Sequence, residues 1–391
     1  MKKLKNKVLF IFLVTVFINT ICIAQESVIE DFVTSKTTQE GKEYPQVNSE
    51  GRVRVRISAP EAKKVQLDIG GVKYDLSKDG NGVWIGESAP QDEGFHYYQL
   101  NIDGASVPDP GSLYFFGAGR WGSGIEVPAK DQDFYALKNV PHGEVREHIY
   151  FSKVNNSTRR CFVYTPPEYN ENTSEKYPVL YLQHGGGENE TGWSNQGHAN
   201  LILDNLLAEG KAKPFIIVMD NGTWRMPKKS NSKPQEEGVK RTWPPQGWAD
   251  GFKNTLIKDI IPMVEANYRT FSDASNRAMA GLSMGGMQTR VITLDRPDLF
   301  SSVGMFSGGS ISLEDLKKSP DFKEKVKLLF ISYGSRELEN PRQSSWGDPK
   351  ENTQALKDSG MNAHFHVSQL TAHEWQSWRR AFKEFATLVF K

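Results

Sequence analysis

The residues of this chain best placed to do chemistry lie in the pentapeptide Gly-Leu-Ser-Met-Gly at positions 281–285. A short apolar run precedes the pentapeptide, and the segment 287–292 after it is compatible with a helix. Strand, tight turn and helix in that order predict a nucleophile elbow, in which the turn projects the hydroxyl of Ser283 out of a sheet. Glycines flank the serine because a Cβ at those positions would collide with the neighbouring backbone. The pentapeptide also fits a strand-to-helix turn that merely contains a serine, so the interpretation depends on finding partner residues.

A serine nucleophile needs a general base and a carboxylate that orients the base. In this class of site the chain order is serine, acid, histidine. His373 is the predicted base, because it follows a strand pattern at 363–367 and precedes an amphipathic terminal helix. Glu337 is the predicted acid, since it stands just past the apolar strand pattern at 328–332. Glu339 and the more distant Asp348 are the alternatives for the acid.

The oxyanion of an acyl-transfer intermediate needs backbone N–H donors. The strand pattern 179–182 runs into three glycines at 185–187, which allow close approach of the backbone to a substrate. We predict that Gly186 supplies one N–H and that Met284, the residue after the nucleophile, supplies the other. His184 is interpreted as a brace for this loop rather than as a second base.

The elements that must position these residues follow an alternating strand and helix pattern. After about residue 149, near-continuous apolar strands alternate with amphipathic helices, which predicts a mostly parallel α/β sheet covered on both faces. Strands are expected at 149–151, 160–164, 179–182, 215–219, 278–280, 328–332 and 363–367, and helices at 201–207, 252–268, 287–295 and 353–359.

Residues 25–130 carry only β signals. Alternating runs at 53–57, 65–69 and 95–102, with a turn signal at 79–82, predict a β-sandwich of the immunoglobulin-like kind. The sandwich contains no cluster of chemically active residues, so we expect it to serve as a scaffold or to dock glycan. A fragment that starts near Asp133 is accordingly expected to retain turnover of small soluble esters if it folds.

The amino terminus has the pattern of a secretory signal peptide over residues 1–24. A basic segment precedes the apolar run 8–18, and small residues follow before Gln25. We therefore expect a secreted or periplasmic protein without a membrane anchor. Cys161 is then the only cysteine and is interpreted as a packed core thiol. With 48 Lys and Arg against 47 Asp and Glu, the net charge of +1 does not indicate a nucleic-acid partner.

Three tryptophans lie near the expected strand ends, where loops of an open α/β sheet converge on one crevice. Trp193 follows the glycine loop, Trp224 opens an irregular segment at 223–247, and Trp375 lies two residues after His373. We expect these indoles to rim the substrate pocket and to stack on an aromatic acyl group or a sugar. The irregular segment is interpreted as a lid or wall over the site.

The glycine loop with Glu188 and Trp193, the elbow at 281–286, and His373 with Trp375 and Trp378 together resemble carbohydrate esterase family one. That family contains feruloyl and acetyl xylan esterases, and it is similar to the wider esterase D group. The resemblance spans about 135–391 and implies an α/β-hydrolase domain at 131–391, acylated plant cell-wall polysaccharide as substrate, and no metal or cofactor. The preceding sandwich, with its segments 59–65 and 107–110, resembles the early-set domains of carbohydrate-active enzymes, including glycogen-binding modules. The chain departs from the family pattern at Glu337, where aspartate is usual.

Three other functions stay open at this point. Siderophore esterases of the enterochelin type also combine an early-set domain with this catalytic fold. A non-catalytic carbohydrate-binding protein would need a broken triad, and the sequence shows none broken. An acyltransferase would share the residues and differ in how its pocket excludes water.

Overall fold

The computed structural model of the protein describes residues 28–223, 244–245, 247–339 and 346–391. The expected signal peptide, Trp224 and most of the irregular segment at 223–247 lie outside these ranges. Within these ranges, no helix combines the length and apolar character that crossing a membrane requires.

The first part of the chain folds into two antiparallel sheets packed face to face. Its strands are β1 (Val33–Thr34), β2 (Gln46–Val47), β3 (Val53–Ser58), β4 (Val65–Ile69), β5 (Val72–Asp75), β6 (Ser77–Lys78), β7 (Val83–Glu87), β8 (Gly94–Ile102), β9 (Ala105–Val107), β10 (Tyr114–Gly117) and β11 (Arg120–Val127). One sheet has the order β1-β2-β3-β7-β6, and the other has the order β10-β11-β8-β4-β5 with β9 on β8. The alternating residues Val55, Leu67 and Leu100 are buried between the sheets, which confirms the β-sandwich.

The second part contains an eight-stranded sheet. Its strands are β12 (Glu144–Ser152), β13 (Ser157–Thr165), β14 (Val179–Gln183), β15 (Ile216–Asp220), β16 (Arg277–Leu282), β17 (Ser302–Phe306), β18 (Leu328–Gly334) and β19 (Ala363–Ser368). The order is β12-β13-β15-β14-β16-β17-β18-β19. The first two strands are antiparallel, while β14 to β19 run parallel. Parallel strands bring their carboxyl ends to one edge, so the loops after β14, β16, β18 and β19 meet there.

Helices cover both faces of this sheet. They are α1 (Gly192–Asn195), α2 (Ala199–Ala208), α3 (Asp250–Thr255), α4 (Ile261–Asn267), α5 (Met284–Asp295), α6 (Leu313–Lys318), α7 (Phe322–Lys325), α8 (Ser335–Glu339), α9 (Pro349–Asp358) and α10 (Trp375–Leu388), with a π-helical turn at Leu256–Ile260 between α3 and α4. Leu180 and Leu182 of β14 pack towards α2 and α10, whereas Val179 and Tyr181 pack towards α3 and α4. Both faces of the strand are therefore buried, which explains its continuous apolar sequence.

One strand of the eight-stranded sheet was not predicted from the sequence. β17 lies between β16 and β18 and is fully buried, but its sequence Ser-Val-Gly-Met-Phe contains a glycine and opens with a serine. Both residues weaken a strand pattern. Val303 and Met305 nevertheless alternate and pack against β18 and α9, and this alternation was the available signal. The short helices α6 and α7 were also not predicted.

The sandwich and the α/β layer share buried contacts. Phe95 of β8 belongs to the same apolar cluster as Trp193 and Trp375. The guanidinium of Arg379, which is fully buried, contacts both carboxylate oxygens of Glu126 on β11, at 2.6 and 3.0 Å. Removing β11 would leave a buried charge without its partner. A fragment starting near residue 133 would lack this partner, and its expected turnover of small esters stays a prediction, as does the domain boundary at 130.

Candidate active site

Ser283 lies on a strained turn between β16 and α5. Its backbone has φ 50° and ψ −114°, a conformation that non-glycine residues adopt rarely and at a cost of about 1–3 kcal/mol. A Cβ placed on Gly281 would lie 2.5 Å from the carbonyl carbon of Gly285, and one placed on Gly285 would lie 2.7 Å from the carbonyl oxygen of Gln183. The glycines are therefore required by close backbone packing, as the sequence pattern indicated.

The structure brings Ser283, His373 and Glu337 into one chain of hydrogen bonds. The Nε2 atom of His373 lies 2.9 Å from the Oγ of Ser283, and its Nδ1 lies 2.7 Å from the Oε1 of Glu337. Since Nδ1 faces a carboxylate, it carries the ring proton, and Nε2 can accept the proton of the serine hydroxyl. About half of the His373 side chain is exposed, so a substrate can reach it.

Glu337 is fixed by further contacts around its carboxylate. It lies in α8, directly after β18, and its Oε2 accepts hydrogen bonds from the Ser307 hydroxyl at 2.7 Å and the Gly334 N–H at 2.9 Å. Burial raises the pKa of this carboxyl, but the bond and charge of His373 together with these donors outweigh burial, and the net pKa lies below its ordinary value. Glu337 is therefore a carboxylate at neutral pH.

The two alternative acids lie elsewhere. Glu339 is exposed at the end of α8. Asp348 caps α9, where its Oδ1 accepts the N–H groups of Lys350 and Glu351 at 2.8 and 2.9 Å. Among the three candidate carboxylates, the structure shows a hydrogen bond to His373 for Glu337.

Ser307 is a site residue that the sequence interpretation missed. It follows β17, has φ 50°, donates its hydroxyl proton to Glu337, and accepts the indole N–H of Trp378 at 3.1 Å. Its position at the carboxyl end of the strand between β16 and β18 was the feature that could have identified it as a site residue. The residue went unnoticed because β17 itself was not predicted.

The glycine loop after β14 lies directly against the elbow. A Cβ placed on Gly185 would be 3.5 Å from the Cβ of Ser283, and one placed on Gly186 would be 4.0 Å from the Cβ of Met284. Met284 is the first residue of α5, and the N–H groups of a first helical turn lack partners within the helix. The donor roles of Gly186 and Met284 stay predictions that this arrangement supports.

His184 is buried beneath the glycine loop. Its Nδ1 donates to the carbonyl oxygen of Gly185 at 2.8 Å, and its Nε2 accepts the N–H of Gly222 at 2.9 Å. Burial lowers the pKa of this imidazole, which keeps it neutral. Both ring nitrogens are occupied in holding two loops together, as expected for a brace.

The expectation that tryptophans rim the pocket is wrong for Trp193 and Trp375. Their exposed fractions are 1% and 2%, and their rings meet edge to face at 5.5 Å inside the apolar cluster. The indole N–H of Trp193 donates to the carbonyl oxygen of Gln183, and that of Trp375 donates to the hydroxyl of Tyr97. Both side chains pack in the core, Trp193 against Phe306 and Phe382, and Trp375 against Trp378. Trp224 lies outside the described residues.

Cys161 is fully buried on β13 and is a free thiol. Burial raises the pKa of this thiol, and the interpretation as a packed core thiol is confirmed. Within the described ranges, no group of three or more His, Cys, Asp or Glu side chains could hold a metal ion.

The Esterase family model, described as "Putative esterase", matches residues 152–387. The chain belongs to this esterase family. An "Endo-1,4-beta-xylanase/feruloyl esterase" of Xylanibacter ruminicola is 45% identical over 370 residues, which are 93% of this chain and 48% of that protein. "Endo-1,4-beta-xylanase Y" of Acetivibrio thermocellus is 30% identical over 164 residues, 39% of this chain and 13% of that protein. The chain thus spans at most about half the length of these relatives.

Two solved structures extend the comparison. A CE1 ferulic acid esterase from Anaeromyces mucronatus matches with a TM-score of 0.53 and 25% identity, over 67% of this chain and 96% of that chain. The enterobactin esterase of Shigella flexneri matches with a TM-score of 0.60 and 17% identity, over 86% of this chain and 92% of that chain. The second likeness shows the fold alone. The resemblance of the esterase to carbohydrate esterase family one is confirmed, and so is its α/β-hydrolase type of fold.

Proposed function

We propose that this esterase is a serine carboxylic ester hydrolase that removes feruloyl or acetyl groups from plant cell-wall polysaccharide such as arabinoxylan. The observation that carries the proposal is the hydrogen-bonded chain from Ser283 through His373 to Glu337. The printed names of the Xylanibacter and Anaeromyces proteins, which include feruloyl or ferulic acid esterase, support the substrate class.

In the proposed acylation step the Oγ of Ser283 attacks the ester carbonyl carbon while the Nε2 of His373 removes the hydroxyl proton. The electron pair of the carbonyl moves onto its oxygen, where the N–H groups of Gly186 and Met284 stabilise the negative charge. The intermediate then collapses, the bond to the sugar oxygen breaks, and His373 returns the proton to that oxygen. The sugar alcohol leaves and the acyl group stays on Ser283.

Deacylation repeats these steps with water as the nucleophile. His373 takes a proton from water, the hydroxide oxygen attacks the acyl carbon, and Ser283 leaves with the proton that His373 returns. Throughout, Glu337 accepts the Nδ1–H of His373, holds the reactive tautomer and stabilises the imidazolium.

We further assign residues 25–130 to an immunoglobulin-like sandwich and 131–391 to the hydrolase domain, and we propose export through the leader at 1–24. Two antiparallel sheets packed over one apolar core support the first assignment. The basic and apolar pattern of the leader supports the last.

The deciding experiment compares hydrolysis of methyl ferulate, an aryl acetate and acetylated xylan by the wild-type protein and the Ser283→Ala variant. We expect turnover by the wild type and a fall in kcat of about 10³-fold or more in the variant, which keeps its oxyanion donors. The ratio between the ferulate and acetate substrates assigns the preferred acyl group.

Three results would contradict the proposal. Absence of turnover on all three substrates would favour a carbohydrate-binding protein. A variant that retained a tenth of the wild-type activity would show that Ser283 is not the nucleophile. Transfer of the acyl group to an added sugar alcohol in preference to water would indicate an acyltransferase.

A further inference from the structure

A tyrosine of the β-sandwich reaches the underside of the glycine loop. Tyr97 lies on β8, and its hydroxyl oxygen is 3.2 Å from the Oε1 of Glu188. The same oxygen accepts the side-chain N–H of Gln196 at 2.7 Å and the indole N–H of Trp375 at 3.2 Å. Two donors already occupy its lone pairs, so the hydroxyl proton is left for an acceptor, and Glu188 at 3.2 Å is nearer than the carbonyl oxygen of Phe116 at 3.5 Å.

Glu188 connects Tyr97 to the glycine loop. The side chain is buried, with 7% of the residue exposed, and its Oε2 accepts the N–H of Gly185 at 3.0 Å. The N–H of Glu188 also donates to the carbonyl oxygen of Gly185 at 3.3 Å. Burial raises the pKa of this carboxyl to about 7. A carboxyl that is costly to ionise is therefore held in place by donors from both the sandwich and the loop.

Gly185 has little freedom to move without disturbing the nucleophile. A Cβ placed on it would lie 2.6 Å from the Cδ1 of Leu282 and 3.5 Å from the Cβ of Ser283. The neighbouring sandwich hairpin makes a second contact, since the N–H of Gly119 donates to the carbonyl oxygen of Gly187 at 2.7 Å. Both ends of the glycine loop are thus attached to the sandwich.

We propose that Tyr97 and Glu188 are positioning residues of the esterase reaction, through which the β-sandwich holds the glycine loop where its N–H groups meet the oxyanion. The inference rests on the proposed function. It assigns the sandwich a part in catalysis on small esters as well as on polymers, because the contact lies beneath the loop and touches no substrate.

The expected effect follows from the role of the oxyanion donors. Loss of one such donor lowers kcat by about 10²–10³-fold. Tyr97→Phe leaves Glu188 and the Gly119 contact in place, so it displaces the loop only in part, and we expect kcat on methyl ferulate to fall about 10-fold. KM should change little, because the donors act on charge that develops in the transition state.

The matched control is Tyr135→Phe. Tyr135 also donates its hydroxyl to a buried carboxylate at the domain junction, the Oε1 of Glu126 at 3.2 Å, but Glu126 does not bind the glycine loop. The control should lose as much thermal stability as Tyr97→Phe and keep the wild-type kcat. Assays are run well below the unfolding midpoint of each variant.

A second variant, Glu188→Gln, keeps the test informative if Tyr97→Phe does not fold. Its amide N–H₂ would face the Tyr97 oxygen, whose lone pairs are already used, so kcat should fall with KM unchanged. The double variant should be no worse than Glu188→Gln alone, because the two residues act as one chain.

Wild-type kcat in Tyr97→Phe, an equal loss in Tyr135→Phe, a loss confined to KM, or additive losses in the double variant would each overturn the inference. These outcomes require an active wild-type protein, whereas an inactive wild type contradicts the proposed function itself.

Discussion

At the scale of single residues, the acid is the informative position. The family resemblance leads one to expect aspartate, and the chain has Glu337 instead. Its carboxylate is held on one oxygen by His373 and on the other by Ser307 and Gly334. These three donors orient the longer side chain, so glutamate can present a carboxylate to Nδ1 as aspartate would.

We predict that Glu337→Gln lowers kcat on methyl ferulate by about 10³-fold or more, because the amide no longer selects the reactive tautomer of His373. Glu339→Gln is the matched control and should leave kcat within about two-fold, since exposed substitutions away from a site have small effects. Steady-state kinetics of both variants at one pH measure the difference. The opposite ranking would make Glu339 the acid.

At the scale of elements, Trp193 and Trp375 do not lie at the rim of the substrate pocket, where their positions after strand ends led us to expect them. Trp193 and Trp375 are enclosed by α1, α10 and the ends of β14 and β17. Two of the exposed aromatic rings lie on the hairpin of β10 and β11, where Trp121 is 50% and Tyr114 47% exposed. The tip of this hairpin contacts the glycine loop, since the N–H of Gly119 donates to the carbonyl oxygen of Gly187.

We predict that Trp121→Ala lowers kcat/KM for feruloylated arabinoxylan about five-fold and leaves methyl ferulate unchanged, because one lost ring stack is worth about 1 kcal/mol. Leu137→Ala removes an even more exposed apolar side chain outside the hairpin and should change the turnover of neither substrate. Release of ferulate from polymer and from the methyl ester, measured side by side, decides the matter. Equal losses on both substrates would count against sugar stacking at the hairpin.

At the scale of the whole molecule, the sandwich and the hydrolase layer are joined by a buried ion pair. Burial raises the pKa of Glu126, but the charge and hydrogen bonds of Arg379 outweigh it, and the net pKa lies below its ordinary value of 4.5. A lowered acid pKa stabilises the folded state above the ordinary pKa. This contribution is lost as the pH falls through the lower, folded-state value.

We predict that Glu126→Ala lowers the free energy of unfolding by about 3–5 kcal/mol at neutral pH, because it leaves Arg379 charged, buried and unpaired. Glu93→Ala removes the more distant of the two carboxylates near the more exposed Arg380, which keeps its 2.7 Å ion pair with Asp131, and should cost at most about 1 kcal/mol. Urea unfolding of both variants at pH 7 measures the two costs. Similar small losses would show that the domain junction tolerates a missing partner, and a fragment starting near residue 133 would then be worth preparing.

The sequence by itself determined the fold class and the three residues that meet at the elbow. Hydrophobic periodicity records which faces of an element are buried, and the order of strands places Ser283, Glu337 and His373 at the same edge of a parallel sheet. Hydrophobic periodicity is a local property of the sequence, and the rule that parallel strands end at one edge of a sheet needs no knowledge of individual contacts.

Only the tertiary structure decided what covers each side chain. It buried Trp193 and Trp375, placed Ser307 behind Glu337, and paired Glu126 with Arg379. Tyr97 and Trp375 stand 278 positions apart and share a hydrogen bond. A strand pattern shows that a tyrosine belongs to a sheet, but its partner is set by how two layers pack. The free energy of that packing depends on segments distant in the chain, so no local pattern contains it.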